Sequence, residues 1–235
     1  METEKDVVEQ NKTTTATKVS KYLTDEEIIG QCILFFIAGF ETTATTLTNT
    51  LYSLAMNPEV QEDLRLELEA KLEGVERDSQ EYYDIVNNGI PLLNAVIKET
   101  LRMYPPVVQL ERVLSASNYK LGDYELEKGT VVQIPTMAVH YDSEYYPDPY
   151  QYNPDRFMPE NKKNLTQYSY LPFGDGPRNC VGIRFAYQEM KVCLAALLQK
   201  FVFLPNDKTP KKLNFPKKSG IRFPGPFEIS IELRE

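Results

Sequence analysis

Apolar positions recur at helical intervals from residue 28 onward and densest between Cys32 and Phe40, an unbroken run of nine. Thr24 followed by Glu27 has the form of a capping box, with Asp25 and Glu26 at the positive end of a starting helix. That helix is expected to reach Met56, where Asn57-Pro58 stops it, and to be buried because its first half is so apolar. Pro58 suits the first turn of a second helix ending near Glu73, with charges on its solvent side. A third is predicted over 91–104, cut off by Pro105-Pro106. Between Val107 and Pro135 the pattern turns to short strand-like runs, Tyr119 to Leu121 and Val131 to Ile134, with turns at Gly122-Asp123 and Lys128-Gly129. Residues 141–180 read as a long irregular stretch, a length of loop that usually carries function. A last helix is expected over 181–201, then a Lys/Pro-rich β tail. The fold class is therefore mainly α with small β-sheets.

Residues 1–22, with Thr13, Thr14, Thr15 and Thr17 among lysines, read as a polar linker that is neither signal peptide nor anchor. The nine-residue apolar run is too short to span a bilayer, so no membrane segment is expected within the chain. With 235 residues, 42% hydrophobic, the chain suits one globular unit or a large piece of a bigger one. Its net charge of −8, with the acidic excess in the first hundred residues, argues against a general nucleic-acid binder. Cys32, Cys180 and Cys193 show no CxxC spacing, which favours a reducing, cytosol-facing setting over a disulfide framework. Cys32 and Cys193 fall in apolar helical patterns and are expected in the core. His140, the single histidine, lies in a segment read as extended and suits a packed polar residue better than a metal ligand.

Three constellations carry candidate chemistry. Around Cys180, the stretch Phe173-Gly174-Asp175-Gly176-Pro177-Arg178-Asn179-Cys180-Val181-Gly182 forces a tight backbone path just before a helix. A cysteine at a helix N-terminus beside Arg178 is in a setting that favours thiolate, a soft metal ligand, although a lone cysteine in a turn is as readily structural. Within the first helix, Ala38, Thr42, Thr45, Thr46 and Asn49 share a side, with Glu41 adjacent. Six threonines between 42 and 50 are poor helix formers, so either function or a small-residue packing groove overrides propensity. Glu99 and Arg102 lie three apart on the third helix, the spacing of an ordinary surface pair and of a buried one alike.

Taken together these segments resemble the cytochrome P450 family. Residues 173–182 are similar to its Phe-Gly-x-Gly-x-Arg-x-Cys-x-Gly haem signature at every defined position. Ala38-Gly39-Phe40-Glu41-Thr42-Thr43 resembles its Ala-Gly-x-acid-Thr-Thr motif, and Glu99-Thr-Leu-Arg102 its Glu-x-x-Arg motif. Asn153-Pro154-Asp155-Arg156-Phe157 resembles its Pro-Glu-Arg-Phe segment, with Asp155 where Glu is usual. The resemblance covers residues 24–235 and implies the C-terminal half of the fold, a partial domain over 23–235. That half holds the long central helix, the Glu-x-x-Arg helix, the cysteine-ligand loop and the final long helix.

The resemblance implies heme b with iron held by the Cys180 thiolate, a ligand that favours O–O cleavage. It implies Phe173 and Gly174 beside that ligand, Ala38 and Gly39 across from it, and Arg178 and Arg112 on the haem propionates. Arg112 by itself suits a surface position equally. Thr42 would be the oxygen-activating threonine with Glu41 as its proton-relaying neighbour. Glu99, Arg102 and Arg156 would form a structural network beneath the haem. Phe36, Phe40, Val107, Val108, Leu110 and Ile221 would line a substrate pocket or serve equally as core residues. The implied activity is a monooxygenase reaction: O₂, a small apolar substrate of the xenobiotic kind, and electrons from an NADPH-dependent flavoprotein reductase. The implied location of a full-length protein is the cytosolic face of the endoplasmic reticulum membrane, with its anchor in an N-terminal half not seen here. The alternative is a truncated, non-catalytic fragment unable to form a complete haem pocket.

Overall fold

The computed structural model describes residues 22–216 and 221–234, so the linker expected over 1–22 lies almost wholly outside the described residues. Contacts divide the chain into two units, one ending at Ile37 and one running from Ala38 to the C-terminus. The first unit is described from Tyr22, and what is described of it is mainly the opening of helix α1 (Asp25–Met56). The capping box forms there: Thr24 N–H donates to Glu27 Oε2 at 2.8 Å, and Glu27 N–H to Thr24 Oγ1 at 3.3 Å.

The burial expected for this opening is not found. Ile28, Ile29, Ile33, Leu34, Phe35, Phe36 and Ile37 are all exposed, and Cys32 is exposed rather than in a core. Apolar periodicity reports what a helix would bury, and among the described residues these positions are exposed. By length and composition α1 is long and apolar enough to cross a membrane, its best window having a mean hydropathy of 1.5. This corrects the estimate from the nine-residue run alone, because interspersed glycine, alanine and threonine barely lower the average. A core helix of a soluble protein has the same dimensions, and α1 is buried from Thr43 to Ala55 at most positions.

The second unit takes in the rest of α1 and, among the described residues, five further α-helices. Helix α2 (Pro58–Leu72) starts on proline directly after the stop at Asn57. A short α3 (Gln80–Asp84), capped by the Ser79 hydroxyl accepting from Tyr82 N–H at 3.0 Å, runs into one π-helical turn, Ile85–Gly89. Helix α4 (Pro91–Met103) again begins on proline. A one-turn α5 (Thr136–His140) was not expected; His140 is in this helix, not in an extended segment. Helix α6 (Ile183–Leu198) begins three residues beyond Cys180, since Val181-Gly182 completes a turn first. Leu54, Leu64, Leu68, Leu93, Ile97, Leu194 and Leu198 meet in one core. Cys193 is only half-buried at its side.

Three two-stranded antiparallel sheets complete the fold. Strand β1 (Leu110–Val113) pairs with β4 (Val131–Ile134), Leu110 opposite Ile134. Strands β2 (Tyr119–Leu121) and β3 (Tyr124–Leu126) form a hairpin about Gly122, whose φ of +58° suits glycine. Strands β5 (Phe201–Leu204) and β6 (Ser230–Leu233) form the last sheet, so the final helix stops before Phe201.

Candidate functional site

The Phe173–Gly182 turn is shaped by glycines that side chains would strain: Gly174 and Gly176 have φ of +72° and +75°. Asp175 caps the short 3₁₀ turn Gly176–Arg178 through Gly176 N–H. Cys180 N–H returns to Phe173 O at 2.9 Å, closing the turn into a loop. Phe173 anchors its start, with its ring 5.5 Å from that of Tyr187 on α6. A side chain at Gly174 would meet Leu110 of β1 at 3.6 Å, which sets β1 beside the cysteine loop. Arg112, two residues further along β1, leaves the strand on the same face as Leu110.

Cys180 is free and exposed. A Cβ at Gly182 would come to 3.9 Å from its Sγ, so glycine keeps that flank of the sulfur open. Val181, in the turn, and Phe185, on α6, are 83% and 68% exposed and give the stretch an apolar, uncovered rim. Among the described residues no three His, Cys, Asp or Glu side chains are grouped to hold a metal ion. Arg178 and Arg112 are exposed, and no carboxylate pairs with either among the described residues. Arg112 Nη1 donates only to the Glu111 carbonyl, at 2.7 Å.

Thr42 lies on α1 half-buried, where the helix passes from exposed to buried residues. Its Oγ1 donates to Ala38 O at 2.7 Å. Thr46, Thr48 and Thr50 repeat this bond to the carbonyl four residues back, at 2.9, 2.8 and 2.8 Å. Each hydroxyl thus spends its proton on the helix and keeps its lone pairs. Glu41, Ala38 and Phe40 are exposed, and Gly39 is half-buried. Val107 bridges to Ile221, and Val108 and Leu110 line an open cleft along β1.

Glu99 and Arg102 are wholly buried. Their pairing is bidentate: Arg102 Nε donates to Glu99 Oε2 at 2.7 Å and Nη2 to Oε1 at 2.8 Å. Arg102 also donates to the carbonyls of His140, Pro149 and Gln151 at 2.8, 2.9 and 3.4 Å. Glu99 Oε1 accepts from Asn153 N–H at 2.9 Å. Arg156 Nε stands 3.5 Å from Glu99 Oε1, close enough for charge attraction but not aligned as a hydrogen bond, while its Nη2 donates to Asp148 O at 2.9 Å. Backbone groups of residues 149–153 are therefore held by one buried ion pair.

His140, expected as a packed polar residue rather than a ligand, joins this site. His140 is fully buried, its Nδ1 3.1 Å from Arg102 O and its Nε2 accepting from Leu171 N–H at 2.9 Å. Burial pushes its pKa down from 6.5 to about 4, with the nearby Arg102 charge working the same way and the bond to the Arg102 carbonyl opposing. A five-residue helix leaves no periodic signal, and a lone histidine gives no pattern.

Comparison with known proteins accords with this arrangement. The family model "Cytochrome P450" matches residues 5–231. "Cytochrome P450 3A9" of Rattus norvegicus is 40% identical over 215 residues, covering 92% of this chain and 42% of the relative. "Cytochrome P450 3A14" of Cavia porcellus is 38% identical over 219 residues, 93% of this chain and 42% of that protein. "Cytochrome P450 9e2" of Blattella germanica is 40% identical over 214 residues, 89% of this chain and 39% of that protein. The chain spans about two-fifths of the length of these curated relatives. The mainly helical unit with its small antiparallel sheets, and a family match running nearly its full length, establish that this chain belongs to the cytochrome P450 family.

Proposed function

We propose that this chain is the haem-holding part of a monooxygenase, with Cys180 as the axial ligand of a heme b iron. The observation that carries the reading is the free, exposed thiol of Cys180, framed by an open glycine flank and an apolar rim, with no companion ligands grouped about a metal among the described residues. A single thiolate cannot hold a bare ion. It suits a metal whose other ligands come from a macrocycle. Bound there, haem would supply O₂ binding and transfer of one oxygen atom to an apolar substrate.

The chain's own residues then have separable tasks. Cys180 holds the cofactor, and the Cys180 N–H to Phe173 O bond fixes where its sulfur points. Arg178 and Arg112 offer unpaired guanidinium forks for the propionate carboxylates, while Phe173 and Gly174 shape the turn and Ala38 and Gly39 leave room on α1. Thr42 Oγ1, donating to Ala38 O, keeps its lone pairs free to accept a hydrogen bond from a water. Glu41, exposed on the next position of α1, exchanges protons with solvent and relays them toward Thr42. Glu99, Arg102 and Arg156 hold the loop backbone and touch no reacting atom. A flavoprotein reductase using NADPH, a xenobiotic-type apolar substrate and placement on the endoplasmic reticulum are the partners and location this reading entails.

The test is the absorption spectrum of the reduced, CO-bound protein. A red-shifted thiolate-type band that vanishes in Cys180→Ser is expected; a band surviving that substitution overturns the ligand assignment. A second reading, haem binding without turnover, is favoured by the exposed Ala38, Phe40 and Glu41 surface of α1. It is distinguished by substrate oxidation: this chain would give the band yet no product, while a protein of the relatives' full length would give both.

A further inference from the structure

His140 stands between the buried ion pair and the cysteine loop. Arg102 and His140 clamp each other: Arg102 Nη1 donates to His140 O at 2.8 Å, and the His140 ring faces Arg102 O through Nδ1 at 3.1 Å. The tautomer follows from the other nitrogen. Nε2 accepts Leu171 N–H at 2.9 Å and so carries no proton, which puts the proton on Nδ1 as donor to Arg102 O. Beyond Leu171 the bonds continue, Gly174 N–H donating to Leu171 O at 3.1 Å and Cys180 N–H to Phe173 O at 2.9 Å. The ring is stacked on Tyr170 at 5.6 Å and meets the edge of Tyr146 at 6.5 Å, so it has no second orientation open to it.

We propose that His140 is a positioning residue for Cys180, using both ring nitrogens to fasten the Phe173–Cys180 loop to the Glu99–Arg102 pair. The inference rests on the reading of Cys180 as the cofactor ligand and adds to it how that ligand is held in register. No proton or electron moves in this role. The neutral ring offers one donor and one acceptor about 2.2 Å apart on a rigid frame, which neither an amide nor a hydroxyl side chain reproduces at both ends.

Amide hydrogen exchange of the cofactor-free full chain, resolved to single residues, reads the link directly. His140→Phe keeps the aromatic packing and removes both bonds; it is expected to speed exchange at Leu171, Gly174 and Cys180 by about tenfold while α2 and α4 core amides are unchanged. His140→Gln, whose Oε1 reaches the place of Nε2, restores most of the protection. His140→Asn, which reaches only Arg102 O, does not. Parent-like exchange in the loop of His140→Phe, or equal behaviour of Gln and Asn, overturns the proposal. Should His140→Phe fail to fold, the Gln and Asn pair decides alone. Cys180→Ser leaves this exchange pattern in place, because the loop is closed by its backbone N–H. A failed ligand assignment and a failed positioning role are thus read separately.

Discussion

At the scale of single residues, the energetics turn on two buried groups. Removing one partner of a buried ion pair leaves the other charge uncompensated, at about 3–5 kcal/mol. Glu99 also accepts from Asn153 N–H, so Glu99→Ala frees Arg102 and loosens the loop together. The expected outcome is a chain recovered without haem after reconstitution, not a slower enzyme; haem-saturated Glu99→Ala protein would contradict it. His140 makes stability depend on pH with a definite sign. Its folded pKa, about 4, lies below the unfolded 6.5, so over that window the unfolded chain binds the proton and the folded chain does not. The contribution is whole above pH 6.5 and is lost as pH falls toward 4, about 3 kcal/mol in all. Arg102, Tyr146 and Tyr170 around the ring offer no anion to stabilise an imidazolium. Denaturant titrations of parent and His140→Gln at pH 7 and pH 4.5 should therefore converge at the lower value; a constant gap would refute the assignment.

At the scale of elements, the sequence was most legible where local chemistry decides. The capping box at Thr24, the prolines opening α2 and α4, the stop at Asn57-Pro58 and the Gly122 hairpin turn are set by their own residues. What escaped was decided at a distance. Phe201, expected as the last residue of the final helix, instead opens the β tail, because Ser230 to Leu233 offers Phe201 to Leu204 a strand partner. Helix α6 opens at Ile183, not at Val181 as expected, and Cys180 lies in the turn ahead of it with its N–H bonded to Phe173 O. Gln61 shows the same principle. Among the charges of α2 it is buried, accepting Phe203 N–H at 2.9 Å and donating to Phe203 O and Leu54 O at 2.9 and 3.1 Å. It joins α1, α2 and β5. Gln61→Ala would leave these backbone groups without partners, and a loss of about 3 kcal/mol in chemical denaturation is expected; a loss under about 1 kcal/mol would mean that water replaces it.

At the scale of the whole molecule, the motifs name the candidate residues of the site, while their surroundings were not legible. Motifs point to side chains by type and spacing alone. Burial depends on what lies over them, and the chain spans about two-fifths of its curated relatives. The opening of α1 is the clearest case: a pattern that reads as core is exposed, Phe36 at 80% and Phe40 at 75%. Contiguous apolar surface of this kind drives association in water, since shielding it recovers about 25 cal/mol per Å². Neither ring supports the fold by contact, so replacing both costs little stability, within about 0.5 kcal/mol at exposed positions. The double variant Phe36→Asp, Phe40→Asp is therefore expected to bind less of an apolar dye and to sediment as a smaller species, with its denaturation midpoint nearly unchanged. Equal dye binding, or a collapse of the midpoint, would mean that these rings are covered in solution.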